Sequence, residues 1–226
     1  MISGIIFDKD GTLFDFQATW TAPFQRLLKD VAPGRLFEPA AEALGYDIAA
    51  ERFRADSLVI ASTTGEVAWA LADVVDRAPI EIIETLDRIG TCAKQVPAVP
   101  LRPCLMELRA VGPLGLVTND SEAPARAHLK EADVLDLFDF VAGFDSGYGA
   151  KPEPGQLLGF AEAAALRPET VAMVGDSRHD LLAAKAAGMV PVGVLTGVAV
   201  ASDLEDFAEV VLPDIGHLAA WLSGRT

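Results

Sequence analysis

Two carboxylates stand two residues apart in Gly4-Ile5-Ile6-Phe7-Asp8-Lys9-Asp10-Gly11-Thr12-Leu13. In an extended chain alternate residues point the same way, so Asp8 and Asp10 can share one site while Lys9 faces away. Two anions held together call for a cation. The apolar run Ile5-Ile6-Phe7 suits a strand covered on both faces that delivers the acids to a sheet edge. Taken alone, the same stretch reads equally as a solvated turn, because Asp and Gly are ordinary turn residues.

Three more apolar runs lead to polar residues that change the balance. Leu116-Val117 ends in Thr118-Asn119-Asp120, a Gly-rich stretch over 143–149 leads to Lys151-Pro152, and the run over 171–174 ends in Gly175-Asp176-Ser177-Arg178-His179-Asp180. Acid pair, hydroxyl, lysine and acid pair together match what phosphoryl transfer demands: an oxygen nucleophile, a proton for the leaving oxygen and positive charge beside the phosphoryl group. Asp8 is the candidate nucleophile, forming an acyl phosphate that water then opens. Asp10 is the candidate acid and base; it must start protonated, which a neighbouring carboxylate and a partly dry site favour. Mg²⁺ fits such a site because it takes oxygen ligands and binds through one or two carboxylates plus a substrate phosphate. Its expected ligands are Asp8, the backbone carbonyl of Asp10, and Asp176. Asp180, four residues on at a helix start, would orient Asp176, a water or Lys151. Thr118 would offer its hydroxyl, Asn119 its backbone N–H and Lys151 its charge to the phosphoryl oxygens. His179 reads as a rim residue, whereas His128 and His217 read as polar helix surface without a role.

The elements that must position these residues follow from periodicity. Phe16, Trp20, Phe24, Leu27 and Leu28 recur at helical spacing, and further helical stretches are expected over 39–44, 49–60, 66–75 and 80–89. Residues 15–95 thus read as an all-helical unit. The prolines at 97, 100 and 103 mark 96–103 as a stiff extended linker. Beyond it, helix alternates with short apolar run at 104–111, 114–117, 123–131, 138–142, 155–166, 171–174, 181–187, 190–195 and 210–212. Such alternation implies an α/β fold, a doubly wound Rossmann-like parallel sheet with helices on both faces. Strand one belongs with this second half, giving a core of 1–14 and 96–226 and a cap of 15–95 inserted after the first strand. Ligands of such sheets collect at the carboxyl ends of the strands.

Composition narrows the partners. A net charge of -15 over 226 residues repels nucleic acid and anionic lipid at long range, yet leaves room for a small phosphorylated substrate held by local cations. Cys92 and Cys104 fit no metal spacing and read as free, buried small hydrophobes of a reducing compartment. Neither a basic leader with a long apolar run nor an apolar stretch of ~20 residues is visible, so a cytoplasmic protein without membrane attachment is expected, as a monomer or homodimer.

These motifs resemble those of the haloacid dehalogenase-like superfamily. Asp8-Lys9-Asp10-Gly11-Thr12-Leu13 is similar to its first motif, Leu116-Val117-Thr118-Asn119 to its second, Lys151-Pro152 to its third and Gly175-Asp176-Ser177-Arg178-His179-Asp180 to its fourth. Residues 15–95 occupy the slot of the family's helical cap, and the resemblance extends over essentially the whole chain. Within the superfamily the chain looks most like the phosphoglycolate phosphatase group, although Phe16 stands where a serine is common there. Dehalogenases of the superfamily lack an Asp at the position of Asp10, and phosphonate hydrolases carry a small residue there with a cap lysine. The resemblance therefore implies hydrolysis of a phosphate monoester, phosphoglycolate-like or a sugar phosphate. A cap closing over the site would read the leaving group, with Arg52, Arg54 and the Thr63-Thr64-Gly65 turn as possible contacts and Trp20 as packing between cap helices. Alternatives are a phosphosugar mutase of the same superfamily and a non-enzymatic phospho-accepting or binding module. The length and the helical insert count against the module.

Overall fold

The computed structural model describes residues 1–54, 56–60 and 62–224. Its centre is β1 (Gly4–Phe7), buried at every position. Ile5 and Phe7 pack on one face of the sheet, with Leu105, Leu116 and Leu129, while Ile6 packs on the other, with Phe160, Met173 and Ala184. A strand whose alternate side chains both need cover must lie mid-sheet. Accordingly β4 (Leu114–Val117) and β6 (Val171–Gly175) flank it, and β5 (Phe140–Ala142), β7 (Val190–Val194) and β8 (Val210–Leu212) complete a six-stranded sheet of order β5-β4-β1-β6-β7-β8. Every pairing is parallel. The chain turns opposite ways on the two sides of β1, which is the switch point where such sheets open a crevice.

Between β1 and α5 (Leu101–Leu108) the chain builds a second apolar cluster. It joins α1 (Phe16–Val31), α2 (Phe37–Ala43), α3 (Thr64–Val75) and α4 (Pro79–Thr91). Asp15 caps α1 by accepting from the Ala18 N–H at 2.8 Å, and Thr63 with Glu66 forms a reciprocal capping box on α3. The stretch expected as a helix over 49–60 is different. Its described residues form a turn, the second strand of a small antiparallel ribbon, β2 (Tyr46–Asp47) with β3 (Arg52–Phe53), and a 3-10 turn over Leu58–Ile60. Phe53 explains this: its ring sits 5.1 Å from Phe16, 4.7 Å from Phe24 and 5.2 Å from Tyr46, an aromatic cluster that outweighs local helical spacing.

The proline segment also departs from expectation at its end, because Leu101, Arg102 and Pro103 already belong to the first turn of α5, where a proline lacks no needed hydrogen bond. Its beginning is extended. It runs beside the chain leaving β1, with Phe14 bridged to Pro97, the Asp15 N–H on the Val96 carbonyl at 2.8 Å and the Ala98 N–H on the Leu13 carbonyl at 2.9 Å. Cys104 is half-buried, but Cys92, at the end of α4, is exposed and not the buried hydrophobe expected. Among the described residues no helix is long and apolar enough to cross a membrane.

Because the helical insert has its own cluster, Phe53→Ala should cost about 3–5 kcal/mol there. Hydrogen exchange should show faster amides within 16–91 and unchanged protection in β1, β4 and β6; equal loss in the sheet would contradict two separate cores.

Candidate active site

Register brings the strand ends together. Phe7 is level with Leu116 on one side and Val174 on the other, so Asp8, Thr118 and Asp176 leave the sheet at one edge. Lys151 reaches them from the loop after β5. Its buried ammonium donates to Asp8 Oδ1 at 2.5 Å and to Asp180 Oδ1 at 2.6 Å. The Asn119 side chain fixes that loop, accepting from the Lys151 N–H at 2.9 Å and donating to the Lys151 carbonyl at 3.0 Å. Asp180 stands in the first turn of α8 (Arg178–Ala187) and also accepts from the Ser177 N–H at 3.1 Å and hydroxyl at 2.7 Å. Gln156 supports the neighbouring strand end by donating to the Thr118 carbonyl at 3.0 Å. Asp8, Asp10, Thr118, Asn119, Lys151 and Asp180 line one cleft between the sheet edge and the helical insert.

Asp176 is buried and is not among the residues that line that cleft. Asp8, Asp176 and Asp180 each offer a carboxylate oxygen, all within 4.8 Å of one another. Asp176 Oδ2 is buried with no hydrogen-bond partner in the protein. A Cβ on Gly11, where φ is +81°, would stand 2.3 Å from that oxygen, and one on Gly197 would stand 1.7 Å from it. Only glycine permits either approach. A buried set of hard oxygen donors, one of them unsatisfied and without thiolate or imidazole beside it, fits a hard divalent cation.

Lys9 does not face away. β1 ends at Phe7, so the two-residue alternation no longer governs Lys9. Its ammonium is fully buried, 2.8 Å from Asp10 Oδ2, 2.6 Å from Asp120 Oδ2 and 3.2 Å from His128 Nδ1. His128 on α6 (Glu122–Glu131) is thus buried, not surface, with its Nε2 3.2 Å from the Gly90 carbonyl of α4. Trp20 is more than packing: its indole N–H donates to Asp10 Oδ1 at 2.7 Å. Asp10 lines the same cleft as Asp8, yet its carboxylate is held by this second lysine. Of the expected cap contacts, Thr64 lines the cleft. Thr63 caps α3, and Arg54 is spent on Glu42 and Asp56 on the outer surface. Arg52 is exposed on β3 and no part of the cleft's lining. His179 is exposed at the cleft's edge, as expected of a rim residue.

Burial dominates the electrostatics. It pushes the Asp8 carboxyl up to about 7, with Lys151 opposing and Asp180 adding to the rise. Burial likewise raises Asp10, against Lys9 and with Asp120, and raises Asp176 well above the usual carboxylate range, reinforced by Asp8 and Asp180. For Lys151 burial favours the neutral amine, but Asp180 and Asp8 outweigh it and keep the ammonium charged. Asp120 is lowered because Lys9 overcomes its burial. His128 falls to about 4 through burial and the Lys9 charge, and so stands neutral.

Comparison with known proteins agrees with this geometry. The haloacid dehalogenase-like hydrolase family matches residues 2–188. A phosphoglycolate phosphatase of Escherichia coli O157:H7 is 35% identical over 214 residues, covering 87% of this chain and 82% of that protein. A phosphoglycolate phosphatase of Nitrosospira multiformis is 32% identical over 191 residues, covering 83% and 80%. In fold, the crystal structure of a β-phosphoglucomutase from Clostridium difficile superposes with a TM-score of 0.73 at 18% identity, covering 100% of this chain and 97% of that one.

Two outcomes test the charge arrangement. Removing Lys9 strands two partly buried carboxylates, so Lys9→Met should lose about 2–4 kcal/mol in urea unfolding, and a loss below about 1 kcal/mol would contradict the pairing on a buried ammonium. An acid raised on folding keeps its proton after the unfolded chain has released it near 3.8, so Asp8 alone makes the chelated protein less stable as pH climbs from about 4 to about 7. Asp176→Asn should therefore raise the Tm of the chelated protein at pH 8, by roughly 2–4 °C if about 1 kcal/mol is recovered.

Proposed function

The chain belongs to the haloacid dehalogenase-like hydrolases and is a phosphatase of that family; from that premise we propose that it hydrolyses a small phosphorylated metabolite through an aspartyl-phosphate on Asp8, in a Mg²⁺-dependent reaction. One observation carries the reading: four strand ends of the core converge on a single cleft that holds Asp8, Asp10, Thr118, Lys151 and Asp180. Phosphoglycolate, the compound in the relatives' names, and sugar phosphates are the substrates the resemblance offers.

In the first step an Asp8 carboxylate oxygen attacks phosphorus, the ester P–O bond breaks and the leaving oxygen takes a proton from Asp10. Water then attacks, Asp10 removes its proton, and inorganic phosphate leaves with Asp8 restored. The raised pKa of Asp10 supports its starting protonated, and the carboxylate that helps raise it is Asp120. The indole of Trp20 keeps that carboxyl group aimed from one side and Lys9 from the other. Lys151 offsets the phosphoryl charge, with the Thr118 hydroxyl and the Asn119 backbone N–H as further donors. Asp180 holds Lys151 against Asp8. Asp8, Asp176 and the Asp10 backbone carbonyl would hold Mg²⁺, which when bound supplies positive charge to the phosphoryl oxygens and lets an aspartate anion approach them. Residues 15–95 act as the cap, closing the cleft to bulk water.

Phosphate release from an aryl phosphate should need Mg²⁺, and equal rates in chelator would sink the metal requirement. Asp8→Asn should abolish turnover, and Asp10→Asn should lower kcat by about 10²–10⁴-fold. Mg²⁺ should also raise the Tm of the wild-type protein and not of Asp176→Ala, a readout independent of catalysis.

A further inference from the structure

The cap side of the cleft is mostly hydrocarbon. Phe24 and Leu27 of α1, Val59 and Ile60 of the 3-10 turn, and Leu86 and Ile89 of α4 line it from the edge of the insert's own apolar cluster, with Ser62, Thr64, Asp87 and Thr91 as the polar side chains beside them. Among the described residues no lysine or arginine of 15–95 lines the cleft, whereas Asp87 does. The nearby core cations are engaged: Lys151 holds Asp8 and Asp180, and Lys9 holds Asp10 and Asp120. His128 stands neutral. A phosphoryl group has Lys151 and the proposed cation to meet it. A second anionic group on the substrate, such as the carboxylate of phosphoglycolate, would find no described lysine or arginine of 15–95 there; it would lie among apolar side chains, acids and hydroxyls, with His179 at the exposed edge, and an anion without a cationic partner is costly to bury.

Resting on the phosphomonoesterase reading above, we propose that this enzyme's substrate is the phosphate monoester of an uncharged, hydrocarbon-rich alcohol, and that carboxylate-bearing esters are rejected. The cap walls then contribute by burying the alcohol. Each methylene buried is expected to be worth about fourfold in kcat/KM.

The test is steady-state phosphate release by the Mg²⁺-loaded enzyme from ethyl, butyl and hexyl phosphate and from phosphoglycolate. The alkyl series holds leaving-group acidity nearly constant, so it isolates burial from chemistry. Glycolate leaves more readily than a simple alcohol, so a preference for hexyl phosphate cannot come from leaving-group reactivity. The expected result is kcat/KM rising steeply along the series and exceeding that for phosphoglycolate by at least tenfold. A flat series, or phosphoglycolate turned over as well as hexyl phosphate, overturns the substrate class while leaving the phosphatase reading intact. No turnover of any ester with Mg²⁺ defeats the phosphatase reading and this inference with it. Ile89→Lys, at a partly exposed cap position, should flatten the series and raise kcat/KM for phosphoglycolate; a steeper series in that variant counts against the proposal. Circular dichroism of the variant confirms that it is folded.

Discussion

Five carboxylates, Asp8, Asp10, Asp120, Asp176 and Asp180, crowd one edge of the sheet, and two buried ammonium groups make that crowding tolerable. Lys151 joins Asp8 to Asp180, and Lys9 joins Asp10 to Asp120. The two lysines divide the site into two arms. In the proposed reaction one arm keeps the nucleophile beside a cation, and the other holds the proton carrier beside the cap. Asp176 belongs to neither pair, and its Oδ2 is buried without a hydrogen-bond partner in the protein.

The sheet makes this possible because its parallel strands all end on the same side. Three neighbours, β4, β1 and β6, bring residues distant in sequence to one level without any long-range side-chain contact having to do so. The apolar faces of β1 carry the mechanical load, and the polar residues begin where the strand stops. Two glycines, Gly11 and Gly197, let backbone come close to Asp176 where any side chain would collide with it.

Much of this was legible in the sequence. Strand boundaries at 114–117 and 210–212 match β4 and β8, and Asp8, Thr118, Lys151 and Asp180 do share one cleft. Legibility failed where a tertiary contact decided. Strand alternation carried two residues past the end of β1 points Lys9 outward, whereas Asp120 and His128, over a hundred residues away, draw it in. Nothing local in Glu122–Glu131 marks His128 as buried, since α4 covers it from a separate part of the chain. Trp20 sat on the apolar stripe of α1, and period alone does not tell a packing indole from one donating to a carboxylate. The ribbon around Phe53 was hidden because aromatic clustering, not backbone propensity, fixes it.

The bridge between Phe14 and Pro97 has a wider consequence. Because the chain departs from the sheet and returns to it through adjacent segments, the ends of the helical insert are neighbours in space. A loop, a smaller bundle or an unrelated insert could occupy the same gap without disturbing a single strand pairing. Under the proposed function such a scaffold would leave most of the bond-breaking groups on the core and most of the walls that choose the molecule on the insert, with the Trp20 indole on Asp10 as the link between them.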